Sequence, residues 1–168
     1  MIKAFIVGLI AGILLVPIGA YLMARAGRIP VATASSPLPL ETLLATTALH
    51  ARLRREAPQK AGVPADPADL ALGASVYKTN CAQCHGLPGQ PQPAAAKGMF
   101  PTPPQLLSAA GMVTDDPVGV TYWKVKNGIR LSGMPAFQGT LSEQQLWQVS
   151  QLLAHADKLP ADIAAKLQ

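Results

Sequence analysis

The sequence predicts an all-helical protein in which one N-terminal transmembrane helix precedes a compact helical domain. Three observations support this. Residues 4–24 are uncharged and apolar, three later segments repeat apolar residues at helical spacing, and no stretch alternates long enough to form a strand. Of the 168 residues, 49% are hydrophobic and 14% are charged. This composition excludes a disordered chain, which would be poor in apolar residues and rich in charge.

The N-terminal segment has the length of a membrane anchor. Ala4–Ala24 lies between Lys3 and Arg25, and as a helix it would be about 31 Å long, close to the thickness of bilayer hydrocarbon. A cleavable signal peptide is the alternative, but its apolar core is usually only about 7–15 residues long. The triplet Ala32–Ala34 resembles a cleavage site but lies too far from the apolar stretch. We therefore predict an uncleaved anchor over residues 1–28.

The positive charge is confined to the N-terminal part of the chain. Residues 1–65 carry seven basic and two acidic residues, whereas residues 66–168 carry seven of each. The net charge of +5 therefore does not describe the domain. Without a basic face, nucleic acid is excluded as the expected partner.

Residues 29–65 are predicted to link the anchor to the domain. The proline-containing segment 29–39 reads as a spacer, and residues 58–64 form a second break. Between them, Leu40–Glu56 is predicted to form a stalk helix; a docking segment or a contact with lipid headgroups is the alternative. One stripe of this helix carries Leu40, Leu43, Leu44, Thr47 and Ala51, and its C-terminal end carries Arg52, Arg54 and Arg55.

Three helices are predicted within residues 66–168. The first is capped by Asp66 and runs to about Asn80; the second opens at Asp116–Pro117 and ends at Asn127–Gly128. The third begins near Thr140 or Ser142, where Glu143 or Gln145 can complete a capping box, and ends at Pro160. The loop Gly86–Pro104 holds six of the sixteen prolines and is predicted to lack regular structure. A core this small is marginal by itself, which suggests that a cofactor fills it.

Cys81–His85 is the C-x-x-C-H pattern through which c-type haem is attached. Two thiols three positions apart can add to the two vinyl groups of one haem, and the adjacent His85 then lies under the iron as a ligand. A thioredoxin-type redox pair would need a β-α-β context, which is absent from the pattern. Structural zinc would need four ligands, and the only other histidines are His50 and His155. We therefore predict one covalently attached haem c held by Cys81 and Cys84.

A second iron ligand is expected from the methionines that follow. Met134 is favoured because Gly133 and Pro135 restrict its loop and 49 residues separate it from His85, enough for the chain to wrap the haem. Met99 lies only fourteen residues from His85 and would have to reach round the haem edge. Met112 is expected to fill the core.

Over residues 66–160 these features resemble a class I cytochrome c. In that family a glycine and an aromatic residue on the first helix pack against an aromatic residue on the last, and Gly73, Tyr77 and Trp147 match those places. The resemblance implies that the Pro104 carbonyl accepts a hydrogen bond from the His85 ring. It also implies attachment of haem outside the bacterial cytoplasmic membrane. This implied location outweighs the excess of arginines after the apolar segment, which by the positive-inside rule favours a cytoplasmic domain.

The predicted function is therefore that of a membrane-tethered, periplasmic single-haem electron carrier and not an enzyme. The resemblance implies a quinol-oxidising complex, a terminal oxidase or a dehydrogenase as redox partner, with no small-molecule substrate. Trp123 and Tyr122 are expected near the haem or in the core. Two alternatives remain: a permanent haem subunit of a larger membrane complex, and a gas or peroxide sensor with a labile Met134.

Overall fold

The computed structural model describes residues 2–108 and 112–168 and divides the chain into two units, one ending at Pro39 and the other running from Leu40 to Gln168. Within the described ranges the regular structure is helical throughout, which confirms the predicted all-α class. The helices are α1 Ile2–Arg25, α2 Glu41–Glu56, α3 Pro67–Asn80, α4 Ala82–His85, α5 Ala94–Lys97, α6 Val118–Asn127, α7 Glu143–Ala154 and α8 Ala161–Lys166, with a 3-10 helix over Met112–Asp115.

The first unit contains α1, whose 24 residues include Pro17 and no buried side chain. By length and composition α1 could cross a membrane, and among the described helices only α1 is long and apolar enough to do so. The second unit begins at Leu40, so it includes the helix that the sequence analysis assigned to the linker. The predicted divisions at residues 28 and 65 stay predictions.

The core of the second unit is the crossing of α3 with α7. Gly73 on α3 makes this crossing close, because a Cβ at this position would collide with the Gln148 carbonyl and lie 3.2 Å from Leu152 Cβ. Tyr77, Leu146, Val149 and Leu152 are fully buried around the crossing. Trp147 stacks on Tyr122 of α6 with ring centroids 3.9 Å apart. Gly73, Tyr77 and Trp147, which the family resemblance places together, therefore lie in one core. The ring that stacks on Trp147 is that of Tyr122 on α6 and not that of Tyr77.

The predicted helix starts depend on their caps. The Asp66 side chain accepts a hydrogen bond from Asp69 N at 2.9 Å, as predicted. Ser142 and Gln145 form a complete capping box. Of the two predicted starts of α7, Thr140 and Ser142, the structure therefore has the one at Ser142. At α6 the N-cap residue is Pro117, and the Asp116 carboxylate accepts from Lys124 Nζ at 2.6 Å instead of capping the helix.

Two helix predictions are wrong. The proline-rich loop contains the short helix α5, because the run Ala94–Ala96 between the prolines has high helix propensity. The last predicted helix ends at Ala154, before Pro160. Pro160 instead precedes α8, whose Ile163 is fully buried; a proline that ends one helix also suits the start of another.

Candidate functional site

Cys81, Cys84 and His85 lie on one helical turn at the junction of α3 and α4. The Cys84 and His85 amides both donate to the Cys81 carbonyl, at 3.0 and 2.9 Å. The two cysteines form no disulfide, and both are half-buried. Burial, and then the nearby Cys84, raise the pKa of the Cys81 thiol to about 12. The buried position therefore favours the thiol over the thiolate.

The His85 ring is held by Pro104, nineteen residues further along the chain. His85 Nδ1 lies 2.8 Å from the Pro104 carbonyl oxygen, and since a carbonyl can only accept, Nδ1 is the donor. Nε2 is then left as the nitrogen that can bind a metal. Burial lowers the pKa of His85 and the bond to Pro104 opposes that shift; the lowered pKa favours the neutral ring that a metal requires.

Tyr77 fixes the backbone directly after His85. Its hydroxyl is buried and donates to the Gly86 carbonyl at 2.8 Å. Burial, with a smaller contribution from Cys81, raises the pKa of Tyr77 above its ordinary value, so the hydroxyl stays a donor. The family resemblance predicted only that Tyr77 packs against the last helix. The spacing of residues 77 and 86 does not predict this hydrogen bond.

Met134 lies in a loop that local hydrogen bonds close. The Met134 amide donates to Ser132 Oγ at 3.2 Å, and the Met134 carbonyl accepts from Ile129 N at 3.2 Å. The loop starts at Gly128, whose φ of +66° favours glycine and whose added Cβ would lie 2.7 Å from Ala136 N. The Met134 side chain is half-buried and packs against the hydrophobic core.

Met99 contacts the same loop from the proline-rich segment. Its terminal methyl lies against Gly133, and its sulfur lies 3.3 Å from the point that a Cβ of residue 133 would occupy. The structure thus places the thioether of Met99 beside the Met134 loop. The separation of fourteen residues between Met99 and His85 did not predict this position. The side chain of Met112 lies outside the described residues.

Trp123 is half-buried on α6, and its indole N–H donates to Glu56 Oε2 of α2 at 3.1 Å. This contact joins α6 to α2. Tyr122 is buried in the core, which is one of the two places predicted for it. A direct contact of Trp123 with haem stays a prediction.

The residues at this site fit a covalently attached haem. They supply two thiols on one turn, an imidazole whose ring orientation is fixed by a carbonyl, and a thioether in a restrained loop. No group of three or more His, Cys, Asp or Glu side chains that could hold a metal ion occurs in the described parts of the chain. The donor set is therefore unlike that of a zinc site.

Comparison with known proteins agrees with the chemistry of these residues. Residues 68–153 match the family model described as cytochrome c oxidase, cbb3-type, subunit III. Cytochrome c6 of Synechococcus sp. (strain ATCC 27167 / PCC 6312) is 38% identical over 87 residues, which cover 52% of this chain and 70% of that protein. Cytochrome c6 of Limnospira maxima is 35% identical over 82 residues, covering 49% and 86%.

The chain belongs to the class I cytochrome c family. This cytochrome carries covalently bound haem c and transfers electrons, as predicted. The family match begins at residue 68, so α1 and α2 lie outside the matched family region.

Proposed function

We propose that this cytochrome is a membrane-tethered electron carrier whose haem domain lies in the periplasm and whose iron is ligated by His85 and Met134. The observation that most supports the ligation is the 2.8 Å contact of His85 Nδ1 with the Pro104 carbonyl. It fixes the tautomer and directs Nε2 away from the carbonyl. A hydrogen bond of this kind also raises the basicity of a metal-bound imidazole.

Two protein ligands would leave the iron no position for a substrate. Bound haem supplies the chemistry, a one-electron change of iron oxidation state, and a Met/His ligand pair raises the potential. The chain's contribution is rigidity. Pro104 holds the His85 ring and Ser132 holds the Met134 backbone, so that little of the protein needs to rearrange with oxidation state. Such a site suits electron transfer rather than substrate turnover.

Helix α1 would act as the tether, in a bacterial cytoplasmic membrane with residues 1–3 on the cytoplasmic side. It is apolar between Lys3 and Arg25, and none of its side chains is buried. Confining the haem domain to the membrane raises its effective concentration at membrane-bound redox partners. We propose a quinol-oxidising complex, a terminal oxidase or a dehydrogenase as these partners.

The second candidate is a permanent haem subunit of a membrane oxidoreductase. The matching family model is described as a subunit of a cbb3-type cytochrome c oxidase, which favours this candidate over the sensor. Four cations of the domain could form a docking patch for an acidic partner: Lys97, Lys124, Lys126 and Arg130. Two of them already pair within the domain, Lys124 with Asp116 at 2.6 Å and Lys126 with Glu143 at 3.1 Å. Their pairing weakens the case for that patch.

The test is a fractionation of cells that express the chain together with haem-attachment machinery. We expect a c-type absorption spectrum in membranes washed with alkaline carbonate, and chemical reduction should change that spectrum. The matched control replaces residues 1–28 with a cleavable signal peptide and should release the haem to the soluble fraction. Soluble haem from the unaltered chain would overturn the tether. Stable co-purification with other chains in mild detergent would replace the carrier with the complex subunit.

A further inference from the structure

Helix α2 has one face on the domain and an apolar face in solvent. Leu53 is buried, with 6% of its surface exposed, whereas Leu40, Leu43 and Leu44 are 64%, 59% and 65% exposed. Leu44 precedes Leu53 by nine residues, which at 3.6 residues per turn places the two on opposite sides of the helix. We call Leu40, Leu43 and Leu44 the leucine stripe. The three leucines of the apolar stripe predicted from sequence are thus exposed, whereas Ala51 of the same stripe is half-buried.

The same face becomes cationic towards the C-terminal end of α2. Arg54 and Arg55 follow Leu43 and Leu44 by eleven residues, which is about three turns, so each lies on the side of its leucine. Both arginines are exposed. An apolar patch followed by cations along one helix face is the pattern of helices that lie in the surface of an anionic bilayer.

The chain length keeps this face close to a membrane. Fifteen residues separate Arg25, the end of α1, from Glu41, the start of α2. Fully extended, they span at most roughly 50 Å. If α1 is anchored, the leucine stripe therefore stays within that distance of the bilayer at all times. The chain holds no other binding surface so near to the leucine stripe. This high local concentration of lipid favours lipid over a protein partner as the occupant of the stripe.

The end of α2 and the segment that follows are fixed to the domain. Besides the bond from Trp123 to Glu56, Gln151 Nε2 of α7 donates to the Val63 carbonyl at 2.7 Å. The Pro58 carbonyl packs against Gly119 so closely that a Cβ there would collide with it. The orientation of α2 at a membrane would therefore set the orientation of the domain.

We propose that the leucine stripe and Arg54 and Arg55 dock α2 onto the anionic surface of the membrane that holds α1. The haem domain would then be held in one orientation and would not rotate freely on its tether. This inference rests on the proposed anchoring by α1. It assigns a function to a helix that lies outside the matched family region.

The experiment measures how closely α2 approaches lipid. In the holoprotein Cys81 and Cys84 are bonded to haem, so Leu44→Cys introduces the one free thiol for a fluorescent label. The labelled full chain is reconstituted in vesicles that contain phosphatidylglycerol and a brominated lipid that quenches the label. The matched control is Leu72→Cys on α3, a leucine 53% exposed on the same unit. We expect quenching at residue 44 to exceed that at residue 72 about threefold. Replacing phosphatidylglycerol with phosphatidylcholine should reduce the difference.

The outcomes separate the inference from the proposed function. Vesicle flotation is measured on the same samples, and a chain that does not float with vesicles overturns the tether itself. A chain that floats but shows equal quenching at residues 44 and 72 overturns only the docking of α2. If the fluorescence of the label at residue 44 changes with the number of chains per vesicle but not with brominated lipid, the leucine stripe contacts a second copy of the chain instead of lipid. Loss of the excess quenching in a variant that also carries Leu43→Gln and Arg55→Gln would support the proposal.

Discussion

The His85 side and the Met134 side of the proposed haem site are supported by contacts of different kinds. On the His85 side, Pro104 holds the ring and the buried Tyr77 hydroxyl holds the Gly86 carbonyl, both at 2.8 Å. On the Met134 side, the backbone is held by a partly buried hydroxyl two residues away, and the flexible Met99 side chain packs against the neighbouring Gly133, which is itself exposed. From this difference we propose that the His85 side determines stability, whereas the Met134 side determines potential and access to the iron.

The largest expected effect is that of Met134→Ala. Removing the thioether should open the iron, allow carbon monoxide to bind the reduced protein, and lower the reduction potential by roughly 100 mV or more, a fraction of the ~0.8 V that axial ligands span. Potentiometric titration followed by absorbance checks this. Met99→Leu is the matched control and should keep the potential. An unchanged potential in Met134→Ala would assign the ligand to Met99 or Met112, and adding Met99→Leu would tell these two apart.

On the other side, Tyr77→Phe should destabilise the domain while leaving the potential close to that of the parent protein. The change leaves the Gly86 carbonyl buried without its donor, which costs about 1–3 kcal/mol of unfolding free energy. Urea unfolding of the holoprotein measures it. If the reduced Tyr77→Phe variant bound carbon monoxide completely, this would contradict the division of roles between the two sides.

Met99 provides a test of access alone. Met99→Ala should remove the side chain that packs against Gly133, loosen the Met134 loop and let part of the reduced protein bind carbon monoxide, since cavities at a site admit small ligands. Met99→Leu keeps most of the volume and, like the parent protein, should not bind carbon monoxide. Absence of binding in all three proteins would show that Met99 does not restrict access to the iron.

A matched pair of serines compares the loops directly. Ser132→Ala removes the acceptor of the Met134 amide, and Ser108→Ala removes a hydroxyl that donates to the Gln105 carbonyl at 2.9 Å, beside Pro104. Each should cost about 0.5–1.5 kcal/mol of stability. Only Ser132→Ala should also let a fraction of the reduced protein bind carbon monoxide, and equal binding in both variants would remove the distinction between the loops.

The smallest effect is expected away from both sides, at Glu143. Hydrogen bonds from the Tyr122 hydroxyl, first, and from Lys126 lower the pKa of this exposed carboxyl. Its stabilisation is therefore present above its unfolded-state pKa and is lost as the pH falls through its folded-state pKa. Glu143→Gln should flatten this part of the stability profile, measured by urea unfolding across acidic pH. An identical profile in both proteins would contradict the expectation.

Local signals in the sequence predicted much of the fold. Asp66 and the Ser142–Gln145 capping box mark helix starts because their side chains bond to the backbone three residues away. The C-x-x-C-H pattern predicted the haem for a similar reason, since its chemistry lies within five residues. The family resemblance, not spacing, supplied Pro104, which the structure places on the His85 ring.

What the sequence could not predict depends on distant contacts. Periodicity found the stripe on α2 but not which side faces the domain, because Leu53 is buried on a helix that packs against α6, further along the chain. The position of Met99 beside Gly133 joins two loops whose paths no local pattern specifies. Helix α8 was missed because Pro160 can follow one helix or precede another.

The central claim is that His85 and Met134 close both axial positions of the haem. The most direct measurement is the absorption spectrum of the reduced full chain in its membranes, before and after carbon monoxide is added. The account predicts a c-type spectrum that carbon monoxide leaves unchanged. A rapid shift to a carbon monoxide complex would show an open or labile position and would favour the gas or peroxide sensor over the electron carrier.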